Sequence, residues 1–89
     1  MKMYLLSADA DTLTGMRLAG IDGEIISCKE ELEAAAKKAE EEKEIAVLLV
    51  AETLAEKYEA ELTELKKRGK VLITQIPDMQ WLERKNKKP

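Results

Sequence analysis

Apolar stretches and helix-patterned stretches alternate along this chain with little between them. Met3–Ala8 is a short apolar run, and 9–20 reads as a short helix with its approach loop. Glu24–Ser27 is a second, shorter run, and Lys29–Lys43 has helical character. Ile45–Val50 (Ile-Ala-Val-Leu-Leu-Val) is a third run. Glu52–Arg68 is the longest expected helix, and Val71–Ile76 is a fourth run that stops at Pro77. The predicted order is β-α-β-α-β-α-β.

Each expected helix carries one apolar face. Leu32, Ala35, Ala36 and Ala39 fall at i, i+3, i+4 and i+7, and Leu54, Tyr58, Leu62 and Leu65 form a similar stripe beside Ala51 and Ala55. The opposite faces are Glu and Lys. Helix ends carry local signals. Asp9 or Asp11 can cap the first helix and Gly20 can close it. Ser27-Cys28-Lys29-Glu30 fits a capping box, with Ser27 as cap and Glu30 reaching back. Gly69 follows Lys66-Lys67-Arg68, which places cations at the negative end of the helix dipole.

The third run sets the sheet type. Six consecutive apolar residues without alternation mark a strand covered on both faces, the habit of parallel sheets. Right-handed crossovers then give a four-stranded parallel α/β sheet with helices on both faces, a three-layer Rossmann- or flavodoxin-like arrangement of strand order 2-1-3-4. The expected organisation is one α/β domain over 1–77 and a polar C-terminal tail over 78–89. In that order the fourth strand is an apolar edge, which soluble proteins normally hide. Either the tail around Met79, Trp81 and Leu82 folds over it, or a partner does.

Composition narrows the chemistry. The chain of 89 residues is 45% hydrophobic and 37% charged, the profile of one globular domain with a single modest core. No apolar run approaches the ~20 residues of a membrane span. The N-terminal apolar stretch is too brief for a signal peptide and an acidic segment follows it, so the protein reads as cytoplasmic. Acidic residues number 18 against 15 basic ones, for a net charge of −3, which is not the field of a nucleic-acid binder. The basic cluster Arg84, Lys85, Lys87 and Lys88 reads as a solvated tail. With one cysteine, Cys28, and no histidine, neither an internal disulfide, a zinc site of the usual ligands, nor a histidine-based catalytic centre can be assembled. The expectation is no catalytic residues, no cofactor and no metal.

Three ligand readings arise at the carboxyl ends of the strands. Asp9 and Asp11 resemble the paired acids of receiver domains. The third strand, however, ends Val50-Ala51-Glu52, without the acceptor aspartate, and helix capping accounts for both acids. Thr12-Leu13-Thr14-Gly15 resembles the phosphate turn of flavodoxins, which makes an FMN- or anion-binding domain the alternative function. Against it, no aromatic side chain is placed to sandwich a flavin. Cys28 opens the second helix, with no partner base or second thiol for redox chemistry.

A longer resemblance covers residues 1 to about 77. Gly15-Met16-Arg17-Leu18-Ala19-Gly20-Ile21 resembles the G-F-[RK]-L-A-G-[IV] segment of the F subunit of V-type/A-type ATPases, and Asp11-Thr12 precedes it as in that family. Ala51-Glu52-Thr53-Leu54-Ala55-Glu56 is similar to its T-E-E-[IL]-A-E, and Gln75-Ile76-Pro77 to its E-I-P. The resemblance implies a non-catalytic rotor component of the central stalk. Such a component binds the coiled-coil shaft, the D subunit, and turns inside the ring of catalytic and regulatory subunits. It couples ATP hydrolysis or synthesis to ion transport and meets the membrane only through the complex. Family members commonly continue with a glycine-rich turn and a C-terminal helix; here 78–89 holds no glycine, so the chain reads as either a short member or a truncated one. Arg17, Gln75, Ile76 and Trp81 are the expected partner-contact residues. Arg17 lies next to the core face of a short helix, where its stem can pack.

Overall fold

The computed structural model describes residues 2–86. Four strands, β1 (Lys2–Ser7), β2 (Asp22–Ile25), β3 (Ile45–Ala51) and β4 (Leu72–Ile76), form one parallel sheet in the order β2-β1-β3-β4. The helices are α1 (Ala10–Leu18), α2 (Lys29–Glu41), α3 (Glu52–Lys57), α4 (Glu59–Arg68) and α5 (Met79–Asn86). The expected α/β fold and strand order are both present.

Alternation along each strand divides the core in two. On one face Tyr4, Leu6, Leu48 and Val50 pack with Leu32, Ala35, Ala36 and Ala39 of α2, Leu54 and Ala55 of α3, and Leu62 and Leu65 of α4. The alanine stripe on α2 lets that helix lie close to the sheet. On the other face Leu5, Leu13 and Leu49 are buried, with Met16, Ile21, Val47 and Ile76 half-buried around them. Among the described residues only α1 supplies helical cover there, over β1 and β2. Gly23 of β2 makes that cover close: a Cβ at this position would run into the Leu5 carbonyl and the Leu13 side chain.

Local signals settle most helix ends. Asp9 caps α1 by accepting from the Asp11 N–H at 3.1 Å, and Gly69 closes α4 in the left-handed conformation (φ 65°), its N–H reaching Leu65 O.

Four details differ from the sequence expectation. β2 begins at Asp22 rather than Glu24, because Gly23 and its neighbours pair with Tyr4–Ser7 although Asp and Gly are poor strand formers. The expected capping box does not form. Cys28, not Ser27, is the N-cap of α2 and makes no side-chain cap bond, so the third helical position is Glu31, whose carboxylate accepts the Ser27 N–H at 2.6 Å.

The expected helix over 52–68 breaks at Tyr58 (φ −119°, ψ 43°) into α3 and α4. Tyr58 N–H still donates to Leu54 O and Leu62 N–H to Tyr58 O, both at 3.1 Å. A straight helix over that span would run about 25 Å, longer than the roughly 16 Å of the five-residue β4. α3 packs over β1, β3 and β4, and α4 over β4. Finally, Met79–Asn86, expected within a polar tail, is helical and packs on α3.

Candidate functional site

The carboxyl ends of the strands are occupied by the protein's own polar groups. After β1, the buried Ser7 hydroxyl accepts the Asp9 N–H at 3.0 Å. The Asp9 carboxylate accepts the Asp11 N–H with one oxygen and the Thr12 hydroxyl, at 2.9 Å, with the other. The turn that resembles a phosphate loop therefore has its first threonine engaged and an anion seated at the start of α1. That arrangement repels a phosphate from the helix N-terminus instead of receiving one. Cys28 is half-buried at the start of α2. Among the described residues no group of three or more Cys, His, Asp or Glu side chains could hold a metal ion.

The most organised polar feature follows β4. Asp78 is only 5% exposed, and its carboxylate joins two helices. It accepts the Thr53 hydroxyl at 2.6 Å and the Thr53 N–H at 3.2 Å, at the start of α3, and the Trp81 N–H at 2.9 Å, in the first turn of α5. Burial alone would raise its pKa. The Thr53 hydroxyl, the Trp81 and Thr53 amides and the Arg84 charge outweigh burial and hold it below the usual carboxylate range. Arg84 also pairs with Glu56 of α3, so α5 is tied to α3 at both ends. Sequence patterning missed this clamp because its partners are 25 residues apart; an aspartate before Met79 signals at most a helix cap.

The four expected contact residues do not share one surface. Arg17 is exposed on α1 beside β2, where its guanidinium meets Asp22 Oδ1 at 3.3 Å and the Gly23 carbonyl at 3.4 Å. Gln75 and Ile76 end β4 at the opposite edge of the sheet. Strand alternation turns Ile76 to the α1 side, where it packs around Leu49, and Gln75 to the α3–α4 side, where it lines a groove with Glu52, Glu56 and Glu59. Trp81 is half-buried on α5. Gln75 and Ile76 thus end β4 on opposite faces, Trp81 stands on α5 just after it, and Arg17 lies at the β2 edge.

The described part of the expected tail, α5, packs on α3, Leu72, Thr74 and Gln75 stay exposed, and among the described residues no strand pairs with the outer edge of β4.

At the entrance end of the sheet, the Tyr4 hydroxyl donates to the Glu24 carboxylate at 2.8 Å, and the Lys38 ammonium sits 5.6 Å from its ring centroid. Burial first, and then the Glu24 charge, push the Tyr4 phenol well above its ordinary range. It stays a neutral structural donor at any physiological pH.

A groove between α2 and α4 is bridged by two ion pairs, Lys29–Glu61 at 3.6 Å and Arg68–Glu40 at 3.0 Å. Its exposed charges alternate in sign, as on a solvated helix surface.

Among the described residues no helix is long and apolar enough to cross a membrane. Compared with known proteins, residues 6–88 match the family model described as ATP synthase (F/14-kDa) subunit. No curated protein matches the sequence.

Proposed function

The chain belongs to the ATP synthase F/14-kDa subunit family, the F subunits of V-type/A-type ATPases, and we propose that it serves that rotary assembly as a non-catalytic rotor part. In this reading it binds the coiled-coil shaft, the D subunit, on the cytoplasmic side. It turns with the shaft inside the catalytic ring and helps couple ATP hydrolysis or synthesis to ion transport. The observation that carries the reading is the family match, which spans nearly the whole chain, 6–88. Two features support it. The polar groups at the strand ends serve as helix caps, with Asp9 and Asp78 committed to backbone and hydroxyl partners. The edge strand β4 is open, as suits a protein completed by a neighbour.

In this reading the contact lies near the end of β4, around Ile76, with Gln75, and Trp81 of the following α5, at its rim, while Arg17 stands at the β2 edge of the sheet. The test is to co-express the chain with the coiled-coil shaft protein of the same assembly and size the mixture by chromatography with light scattering. A one-to-one complex is expected, weakened by Ile76→Asp combined with Trp81→Ala. Two separate peaks from the unaltered proteins would overturn the reading.

A further inference from the structure

The sheet face that carries α1 is covered over only half its width. α1 packs on β1 and β2. Beyond it, register places Met3, Val47 and Leu72 in one row across β1, β3 and β4, with Leu49 beside Thr74 in the next row and Ala51 beside Ile76 in the last. Met3 is 48% exposed and Leu72 is 64% exposed, Thr74 is open, and Val47 and Ile76 are half-buried. A parallel sheet with an apolar central strand normally has helices on both faces. Among the described residues no helix lies over β3 and β4 on the α1 side, and α5 packs on α3.

The charge distribution follows the same division. The exposed positions of α2 are Lys or Glu apart from Ala34, and those of α4 are charged apart from Ala60 and Thr63. The exposed positions of α1 are Ala10, Asp11, Thr14, Gly15, Arg17 and Leu18, only two of them charged, and Leu18 is 87% exposed. The α2–α4 side is dressed for water. The α1 side is poor in charge and carries Met3, Leu18, Ile25 and Leu72 in the open.

We infer that the bare strip formed by Met3, Val47, Leu72 and Thr74, with Ile76 at its upper end, seats one helix of a two-helix coiled coil, the second helix resting against the outer side of α1. The inference rests on the shaft-binding reading above and assigns its surface. Dimensions select the occupant. The strip is about 10 Å wide and 16 Å long, the footprint of about three turns of one α-helix. A helix lying there sits beside α1 at the usual 8–10 Å interaxial distance.

Area decides that this helix is not alone. A strip of about 10 by 16 Å offers roughly 160 Å², well short of the roughly 800 Å² per partner of a standard interface. A lone short helix would gain too little to stay. A coiled coil brings a second helix into the notch between the first and α1, where Thr14, Gly15 and Leu18 give it small and apolar ground. A second copy of this chain is a poorer occupant, since its longer outer helices, α2 and α4, present charged faces.

Isothermal titration of the full chain with the purified coiled-coil shaft protein tests the assignment, using Leu72→Asp, Met3→Asp and the strand-compatible Leu72→Thr. Glu64→Lys on the outer side of α4 is the control. Thermal melting first establishes that each variant is folded, which the exposure of Leu72 and Met3 makes the expected result. The two aspartate variants should weaken binding about thirtyfold or more, the scale of losing a central contact. Leu72→Thr should weaken it less, and the control not at all. If the unaltered chain binds the shaft and the strip variants bind equally well, the strip is not the seat, though the shaft reading survives. If the unaltered chain does not bind, the shaft reading fails and the assignment with it. If light scattering shows a self-dimer of the unaltered chain that Leu72→Asp dissolves, the occupant is a second copy and the assignment is overturned.

Discussion

Tyr4, Leu6, Leu48 and Val50 lie under α2, α3 and α4, and none is more than 8% exposed; on the opposite face of the same sheet Leu5 is sealed under α1 while Met3, two residues earlier on the same strand, is half open. The strands are shared, so their backbone and hydrogen bonding cannot explain the difference. Helix supply does. Three helices cover one face and one nine-residue helix covers the other. The folded chain is stabilised mainly from one side, and the other side is where apolar surface remains for a neighbour. Stability is thus carried mainly by one face and the proposed docking by the other, and substitutions can separate them.

The largest separation should come from a matched pair of truncations. Leu48→Ala on the covered face removes a side chain with no exposed surface and leaves a cavity under α2–α4. A cost of about 3–4 kcal/mol is expected in urea unfolding. Leu72→Ala on the bare strip removes a side chain that is mostly in water and should cost less than about 1 kcal/mol. Equal costs would mean that the strip is covered in the isolated protein and that the contrast between the faces is false.

Asp78 sharpens the comparison from the rim. Removing its carboxylate in Asp78→Ala leaves Thr53 and the first turn of α5 without their acceptor, which should cost about 2–3 kcal/mol for lost bonds to a charged group. The pH dependence has a definite sign. The folded state holds the Asp78 pKa below its unfolded value of about 3.9. The stabilisation is therefore complete above about pH 4 and is lost as pH falls through the lower folded value. Urea midpoints between pH 7 and pH 2.5 should fall less steeply for Asp78→Asn than for the unaltered chain. The same slope in both would show that the carboxylate is not charged in the clamp.

Much of this architecture is written locally. The unbroken run Ile45–Val50 announces a central parallel strand, the Leu32–Ala39 stripe announces the buried face of α2, and Gly69 after three cations announces the end of α4. What stays hidden depends on distant residues. Gly23 is a strand residue because Leu5 and Leu13 leave no room for a Cβ, which no window around Gly23 reveals. Tyr58 breaks a helix with neither proline nor glycine present, which no local signal announces. Asp78 becomes a clamp only when Thr53 is brought to it. The bare strip is the least legible, since Val47 reads as core in a run of six apolar residues while its face of the sheet goes uncovered beyond α1. The contact residues chosen from the sequence suffer in the same way. Ile76 lies at the end of that strip, yet Gln75, its chain neighbour, faces the other side and Arg17 belongs to the far edge.

The smallest effect belongs to that far edge. Arg17 and Asp22 form an ion pair in which both side chains are more than half exposed, and the Asp22 carboxyl is held below its ordinary range first by the Gly23 N–H and then by Arg17. Exposed pairs of this kind are screened and gain little over separate hydration. Asp22→Asn keeps an oxygen for the Gly23 amide and removes only the charge. Its melting temperature should be indistinguishable from that of the unaltered chain in both low and high salt, and its affinity for the shaft should be equally unchanged. A clear loss of binding with stability intact would return Arg17 to the contact surface and shift the docking face from β4 towards β2. The proposed seat requires the opposite result: a charge change beside β2 passes unnoticed while one on Leu72 does not.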